Sequence, residues 1–232
     1  MANYLIIGAS SGIGKALTER LAENGHTIYG TFNTHEIQTQ NANIVYTHLN
    51  VLEETLSLDF LPETVSGVAY CPGSINLRPF SRIKPDEFMK DYALQVVGAV
   101  KVIQAVLPKL TNTPNASIVL FSTVAVQVGL AFHTQVSASK GAIEGLTKAL
   151  AAEYAPKIRV NCIAPSLTDT PLAATLLNNE QKKEANAQRH PLKRVGKTED
   201  IVNIAEFLLS EKASWITGQI IHVDGGFSTL KA

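Results

Sequence analysis

Short runs of consecutive apolar residues recur along the chain and alternate with segments whose apolar positions repeat every three or four residues. A run that is apolar at successive positions is typical of a strand covered on both faces, as in a parallel sheet. Seven runs have this pattern, at 4–7, 27–31, 44–49, 65–70, 117–121, 159–163 and 220–223. The pattern therefore predicts seven strands of a parallel sheet.

The segments between these runs have the period of amphipathic helices. Ile13, Leu17 and Leu21 share one helical face, and Asn24 followed by Gly25 is a suitable helix end. Longer helices are predicted at 88–107, 136–154 and 198–210. Strands and helices alternate over residues 1–232 without a linker or a repeat, which predicts a single α/β domain with a doubly wound parallel sheet in three layers.

The composition restricts the class of partner. The 232 residues include 20 Lys and Arg against 20 Asp and Glu, and charged residues make up 17% of the chain. A nucleic-acid binder needs a basic face and a membrane-surface protein needs a polybasic one, so neither kind of partner is expected. A neutral surface also leaves little repulsion between copies, which favours a homo-oligomer.

One long stretch, between Lys109 and Lys140, contains no charged residue. It is not expected to cross a membrane, because polar residues such as Asn112, Asn115 and Gln127 interrupt any apolar run of about 18 residues. Its apolar character instead predicts burial within the domain.

The termini and the cysteines bear on the compartment. No basic segment precedes the apolar residues at the N-terminus, so no signal peptide is expected. Cys71 and Cys162 have no disulfide-like or CxxC spacing, and the six histidines have no metal-ligand spacing. A cytoplasmic protein without a metal site is predicted.

A glycine-rich segment follows the first predicted strand and begins the first helix. Glycines allow a tight turn and a close approach to a pyrophosphate, and the N-terminus of the helix supplies N–H donors. This context predicts a dinucleotide site formed by the loop residues Gly8, Ser10, Ser11, Gly12, Ile13 and Gly14.

The GxxxGxG spacing of this loop resembles the short-chain dehydrogenase/reductase (SDR) family, and the similarity continues over nearly the whole chain. Three later segments, beginning at Asn161, Ile216 and Val223, resemble its nicotinamide-flanking and C-terminal signatures, and Ser139-Lys140-Gly-Ala resembles the start of its catalytic helix. The resemblance implies a Rossmann-type fold and hydride transfer between NAD(P)(H) and a small carbonyl or alcohol substrate.

The resemblance also extends the expected cofactor site beyond the glycine loop. Asn50 and Val51 resemble the family's adenine-contacting position. Other segments that the family uses around the cofactor correspond here to Cys71, Pro72, Gly73, Lys140, Pro165, Ser166, Thr168 and Thr170.

The end of the second strand bears on the choice between NADP and NAD. An acidic residue there would bind the ribose 2′-OH and repel a 2′-phosphate. This chain has Asn33, Thr34 and His35 instead, which can donate hydrogen bonds to a phosphate. Ser11 stands where many NADP-preferring relatives have arginine. NADP(H) is therefore expected to be preferred, with NAD(H) as the alternative.

The catalytic positions depart from the family pattern. The family's tyrosine, four residues before the helix lysine, falls on Val136, which has no proton to give. The lysine is retained as Lys140, and the catalytic serine falls on Thr123, with Ser122 beside it. The asparagine that supports the lysine falls on Gln95.

Three interpretations of this departure remain open. In the first, another group replaces the tyrosine, and His133 is the nearest candidate because it shares a helical face with Lys140 if the helix extends that far. An ordinary loop histidine is the alternative for this residue, and Tyr70 and Tyr92 are other candidates. In the second, the protein binds NAD(P) without turnover, as a sensor or partner subunit. In the third, it is a scaffold without ligand, against which the intact cofactor elements argue.

Two further regions have counterparts in the family. Segment 170–194 resembles its mobile substrate lid, although a solvated helical insertion would have the same composition. Small residues in the helix at 136–154 permit close packing of helices, and the resemblance implies a homodimer or homotetramer. The identity of the substrate is not indicated.

Overall fold

A seven-stranded sheet forms the centre of the computed structural model, which describes residues 1–231. Its strands are β1 (Asn3–Ile7), β2 (Thr27–Phe32), β3 (Ile44–His48), β4 (Gly67–Tyr70), β5 (Ala116–Phe121), β6 (Ile158–Pro165) and β7 (Ile220–Val223). All neighbouring strands are parallel, in the order β3-β2-β1-β4-β5-β6-β7. The seven predicted strands are confirmed, and their ends differ from the prediction by at most two residues.

Helices follow β1, β4, β5 and β6, whereas irregular segments connect β2 to β3 and β3 to β4. The helices are α1 (Gly12–Glu23), α2 (Pro85–Tyr92), α3 (Gly98–Thr111), α4 (Ala125–Val128), α5 (Thr134–Tyr154), α6 (Glu180–Gln188) and α7 (Thr198–Leu209). A π-helical turn, Ala93–Val97, joins α2 to α3. The end of α1 is confirmed, because Gly25 has the left-handed φ of 79° that stops the helix there.

The successive apolar residues of the strands face two different layers. In β1, Leu5 and Ile7 pack in the cluster that includes α3 and α5. Tyr4 and Ile6, which alternate with them, pack in the cluster that includes α1 and α7. Because side chains alternate across a strand, burial on both faces requires apolar residues at every position. The three-layer arrangement is confirmed.

The helical run Pro85–Thr111 is, among the described residues, the one long and apolar enough to cross a membrane, with a mean hydropathy of 1.4 over its apolar window. Its α3 part packs on the sheet, where Ala99, Val102 and Val106 are fully buried. The apolar character of this run is therefore accounted for by its place in the core.

The strand order places a crevice between β1 and β4. The chain leaves β1 for α1 on one face of the sheet and leaves β4 for α2 and α3 on the other face. Such a switch point opens a crevice at the carboxyl ends of the strands. Because the sheet is parallel, the segments that follow β1, β4, β5 and β6 meet at this same edge.

Candidate functional site

The glycine loop between β1 and α1 is a tight turn that only glycine allows. Gly8 and Gly12 have φ angles of 76° and 53°. A Cβ atom on Gly14 would lie 2.2 Å from the carbonyl oxygen of Gly8. Ser11 caps α1 without a side-chain hydrogen bond, and the first turn has no acidic residue. The N–H groups of this turn are therefore available to an anion, which the helix dipole attracts.

A cleft of about 290 Å³, here called the loop cleft, lies over the glycine loop. The predicted cofactor residues that line it are Gly8, Ser10, Ser11, Gly12, Ile13, Gly14, Asn33, Thr34, Val51, Cys71, Pro72, Gly73 and Thr170. No motif points to Phe32, Leu49 and Leu94, which also line it, because they are apolar residues that the fold brings to this edge. Among residues 1–231, no carboxylate side chain lines the loop cleft.

Asn50 is an exception among the predicted cofactor residues. It does not line the loop cleft, although its neighbour Val51 does. The side-chain oxygen of Asn50 accepts a hydrogen bond from the Leu52 N–H at 3.1 Å, which turns the chain after β3. Its contact with a cofactor stays a prediction.

A second cavity of about 290 Å³, here called the lid cavity, continues from the loop cleft. Five residues line both: Ile13, Cys71, Gly73, Thr170 and Leu172. The remaining predicted site residues line the lid cavity and are Gln95, Ser122, Thr123, His133, Lys140, Pro165, Ser166 and Thr168. The two cavities thus form one groove that brings the predicted cofactor and catalytic residues together.

Much of the lid-cavity wall is apolar. Its aliphatic and aromatic members include Ile75, Leu77, Leu130, Val136, Leu167, Leu176 and Phe227. Over the described chain, no tyrosine, aspartate or glutamate lines this cavity.

Segment 170–194 contributes part of the wall of the lid cavity, and its action as a substrate lid stays a prediction. Its 3₁₀ turn, Pro171–Leu176, and the end of α6 contribute lining residues. His190 ties α6 to the end of β6, because its Nε2 lies 2.8 Å from the Ser166 hydroxyl and its Nδ1 lies 2.8 Å from the Asn186 carbonyl. No sequence signal indicates this contact, since Ser166 and His190 are 24 residues apart.

Lys140 lines the lid cavity beside Gly73, a residue that lines both cavities, and its side chain is largely buried. Only 8% of the residue is exposed, and Nζ makes no hydrogen bond within the described part of the chain. Burial lowers the pKa of Lys140 to about 8, and the charge of Asp91 opposes that effect. A point at the Cβ position of Gly73 would lie 3.9 Å from Lys140 Nζ and 3.7 Å from Gln95 Oε1.

The two neighbouring hydroxyls after β5 have different partners. The Ser122 hydroxyl donates to Glu144 Oε1 at 2.6 Å. Thr123 Oγ1 accepts a hydrogen bond from the Ala125 N–H at 3.3 Å, which leaves its own proton free to be donated. Thr123 is therefore the residue of this pair whose hydroxyl can polarise a carbonyl group in the lid cavity.

His133 is half-buried at the N-terminus of α5 and lines the lid cavity. Its Nδ1 lies 2.7 Å from the Ala131 carbonyl oxygen. A carbonyl only accepts, so Nδ1 carries the hydrogen. Nε2 is left without a hydrogen-bond partner among the described residues and can exchange a proton with a ligand.

Tyr70 and Tyr92 do not reach the lid cavity, so the suggestion that either replaces the family tyrosine is wrong. Tyr70 points into the core, where its hydroxyl donates to the Leu94 carbonyl at 2.6 Å, and burial raises its pKa far above the ordinary value. Tyr92 is 41% exposed at the end of α2. The paths of the helices, which the sequence pattern does not define, decide both orientations.

Several known proteins are similar to this chain over most of its length. The profile of a family described as enoyl-(acyl carrier protein) reductase matches residues 39–228. Dehydrogenase/reductase SDR family member 4 of Rattus norvegicus is 31% identical over 96% of this chain and 85% of its own length. The 3-oxoacyl-[acyl-carrier-protein] reductase FabG of Thermotoga maritima is 32% identical over 96% of each chain. The ligand-free structure of Thermoplasma acidophilum aldohexose dehydrogenase is 26% identical, with a TM-score of 0.92, and the match covers 99% of this chain and 95% of that one.

Proposed function

Because this chain belongs to the short-chain dehydrogenase/reductase family of oxidoreductases, which bind NAD(P), we propose that it interconverts a small carbonyl compound and its alcohol by hydride transfer. The observation that supports the proposal is the continuous groove. It joins the anion-attracting end of α1 to a cavity that contains Lys140, Thr123 and His133.

The residues of the loop cleft fit a dinucleotide. The glycines leave room that a Cβ atom would fill, and the free N–H groups of the first turn of α1 suit a pyrophosphate. Lys140, which lines the lid cavity beside Gly73, is proposed to hold the nicotinamide ribose, as the resemblance implies. When bound, the nicotinamide ring supplies or accepts the hydride.

The wall at the end of β2 favours NADP(H). Asn33 and Thr34 line the loop cleft and offer neutral donors, and none of the cleft residues is a carboxylate that would repel a 2′-phosphate. The test is the ratio of the Kd values for NADPH and NADH, followed through nicotinamide fluorescence. Asn33→Asp should shift that ratio at least tenfold towards NADH, and an unchanged ratio would remove Asn33 from the argument.

The carbonyl group of the substrate is proposed to lie against Thr123. The Thr123 hydroxyl has a proton to donate, whereas the Ser122 hydroxyl is held by Glu144. Most of the exposed area of the wall is apolar, which favours a substrate that is apolar around its reacting carbon, and Asn186 and Arg189 add polar groups on the α6 side. Thr123→Val should therefore reduce kcat by a larger factor than Ser122→Ala does.

Val136 is proposed to occupy the position of the family tyrosine, one helical turn before Lys140, and His133 is proposed to move the proton instead. In the reducing direction, the protonated Nε2 of His133 would give its proton to the carbonyl oxygen as the carbonyl carbon is reduced. In the oxidising direction, neutral Nε2 takes the hydroxyl proton of the alcohol. Imidazole is a competent acid and base near neutral pH.

A carbonyl and alcohol panel, read at the nicotinamide absorbance, tests the proposed function. We expect the natural protein to turn over a member of this panel and Lys140→Ala to abolish that turnover. His133→Asn should remove the limb of the pH–rate profile that reports the imidazole, while His190→Asn, which removes the other imidazole of the cavity, should leave that limb in place. An unchanged profile in His133→Asn would exclude His133 as the proton donor.

Catalytic silence is the alternative, and the names of the relatives, which are dehydrogenases and reductases, do not favour it. Val136→Tyr distinguishes the two cases. Activity that appears only in this variant would show that the natural protein binds nucleotide without turnover.

A homodimer or homotetramer is proposed from the small residues on α5. Gly145 and Ala149 are exposed on that helix and would allow a second helix to approach closely. Light scattering at several protein concentrations measures the assembly, and a monomer at all of them would contradict it. A cytoplasmic location stays a prediction.

A further inference from the structure

A buried carboxylate, Asp91, lies behind the lid cavity and has no part in the mechanism described above. Only 5% of the residue is exposed, and no cationic side chain of the described chain forms an ion pair with it. Its partners are three neutral donors: the Ser74 hydroxyl, the Ser139 hydroxyl at 2.6 Å and the Gln95 amide. All of these partners donate, so the carboxylate oxygens of Asp91 act only as acceptors.

The carboxylate of Asp91 sets the orientation of Gln95. The Gln95 Nε2 group lies 2.8 Å from both carboxylate oxygens, which is the orientation that an anion requires, since the amide oxygen would be repelled. The amide oxygen of Gln95 is consequently turned away from Asp91. It is completely buried and has no partner within residues 1–231.

The unpartnered oxygen of Gln95 and the ammonium group of Lys140 flank the same place. A point at the Cβ position of Gly73 lies 3.7 Å from the former and 3.9 Å from the latter. Both residues line the lid cavity. The side-chain oxygen of Gln95, whose orientation Asp91 fixes, therefore lies across Gly73 from the ammonium group of Lys140. In the described chain, that ammonium group has no hydrogen-bond acceptor.

Few other groups can balance the charge of Lys140. Cys71, after β4, and Cys162, on β6, are the thiols that face it, and burial raises the pKa of each to about 12, so both are neutral at physiological pH. Glu144, one turn along α5, accepts the hydrogen bond from Ser122. Asp91 on α2 is consequently the anion that acts on Lys140 from outside its own helix. The other titratable or cationic groups on the lid-cavity wall are His133, at the start of α5, and Arg189 and His190, at the end of α6; none of them is an anion.

We propose that Asp91 is a positioning residue that orients the Gln95 amide towards Lys140 and thereby keeps the Lys140 ammonium group charged. Ser74 and Ser139 hold the carboxylate in place. The catalytic consequence rests on the proposed role of Lys140 in holding the nucleotide, but the electrostatic link itself does not.

Titration of Lys140 in the nucleotide-free protein tests the link directly. The signal is the chemical shift of carbon-13-labelled lysine, and Lys140→Met assigns the resonance. Asp91→Asn should lower the apparent pKa of Lys140 by about one unit or more, since an opposite charge is lost. Gln95→Met, which lacks the amide oxygen, should lower it in the same direction. Asp86→Asn, an exposed carboxylate on the same helix, is the matched control and should leave it unchanged.

The pH dependence of NADPH binding separates this role from a merely structural one. At pH 6 the ammonium is charged with or without Asp91, so Asp91→Asn should bind NADPH as the natural protein does. As the pH rises, the variant should lose affinity for NADPH at a pH about one unit lower than the natural protein does. A loss of affinity that is uniform across pH would indicate structural damage and contradict the proposal.

Each outcome has a distinct meaning. A Lys140 resonance that titrates identically in the natural protein and in a folded Asp91→Asn or Gln95→Met variant overturns the proposal, whatever the activity. If Asp91→Asn does not fold, Gln95→Met alone decides. A lowered pKa together with no binding of NADPH or NADH supports the link and refutes the proposed function instead.

Discussion

Replacing Lys140 with methionine should make the protein more stable while destroying its cofactor site. Burial shifts the pKa of Lys140 from 10.5 to about 8 although Asp91 opposes that shift. A difference of ~2.5 units corresponds to about 3 kcal/mol of unfavourable free energy for keeping the charged form folded. Methionine has a similar length and no charge, so it should recover most of that amount.

The gain should depend on pH in a defined direction. The pKa of the folded state lies below that of the unfolded state, so the cost is fully present below about pH 8. It should disappear as the pH rises from about 8 to about 10.5, because the folded protein then releases the proton first. Lys140→Met should therefore exceed the natural protein in stability by about 3 kcal/mol at pH 7 and approach it near pH 10.

Urea denaturation followed by circular dichroism, at pH values between 7 and 10, measures this difference. For a domain of this size, the melting temperature at pH 7 should rise by roughly 6–12 °C. Lys148→Met, which removes an exposed lysine on α5, is the matched control. It should change neither the free energy of unfolding nor the melting temperature. A Lys140→Met variant that is less stable at pH 7, or whose gain does not vary with pH, would refute the reasoning.

Three further predictions concern the supports of the site. Gly14→Ala should cost roughly 1–3 kcal/mol of stability, because its Cβ would lie 2.2 Å from the carbonyl oxygen of Gly8. It should also lower the affinity for NADPH at least 100-fold in a fluorescence titration. Arg159→Met should cost about 1–3 kcal/mol in urea denaturation, because two carbonyls at the end of α7 lose a donor. Asp200→Asn should cost about 1 kcal/mol of stability at pH 7, because the hydrogen bond from Arg194 lowers the pKa of Asp200 to about 2. This difference in stability should vanish as the pH falls from about 4 to about 2. A difference that stays constant over this pH range would contradict the prediction.

The local sequence predicts part of the site, because the turn and the strands that form it depend on neighbouring residues. The turn at the glycine loop depends on residues within one short segment, so the motif identifies it before any fold is known. The same holds for the strands, whose successive apolar residues reflect burial on both faces. The grouping of Thr123, His133 and Lys140 in one cavity also agrees with the sequence interpretation, because all three lie at the carboxyl edge of a parallel sheet.

The choice of hydrogen-bond partners could not be read in this way. Ser122 and Thr123 are adjacent and chemically alike, and only the path of α5 assigns the Ser122 hydroxyl to Glu144 and leaves that of Thr123 free. The sequence allows Tyr70 as a proton donor, but in the structure its hydroxyl donates to the Leu94 carbonyl. Each outcome depends on a neighbour supplied by another element.

Asp91 shows most clearly which features the sequence determines and which ones the tertiary structure decides. Its spacing of four residues from Gln95 is visible in the sequence and resembles an ordinary pair on a helix surface. Its contact with Ser139 spans 48 residues, and its burial depends on α5 packing against α2. Sequence alone determined the elements, the glycine loop and the edge at which the chemistry collects, because periodicity and turn geometry are local. Tertiary structure decided which polar groups are buried together, because desolvation and charge depend on segments that are distant in the chain.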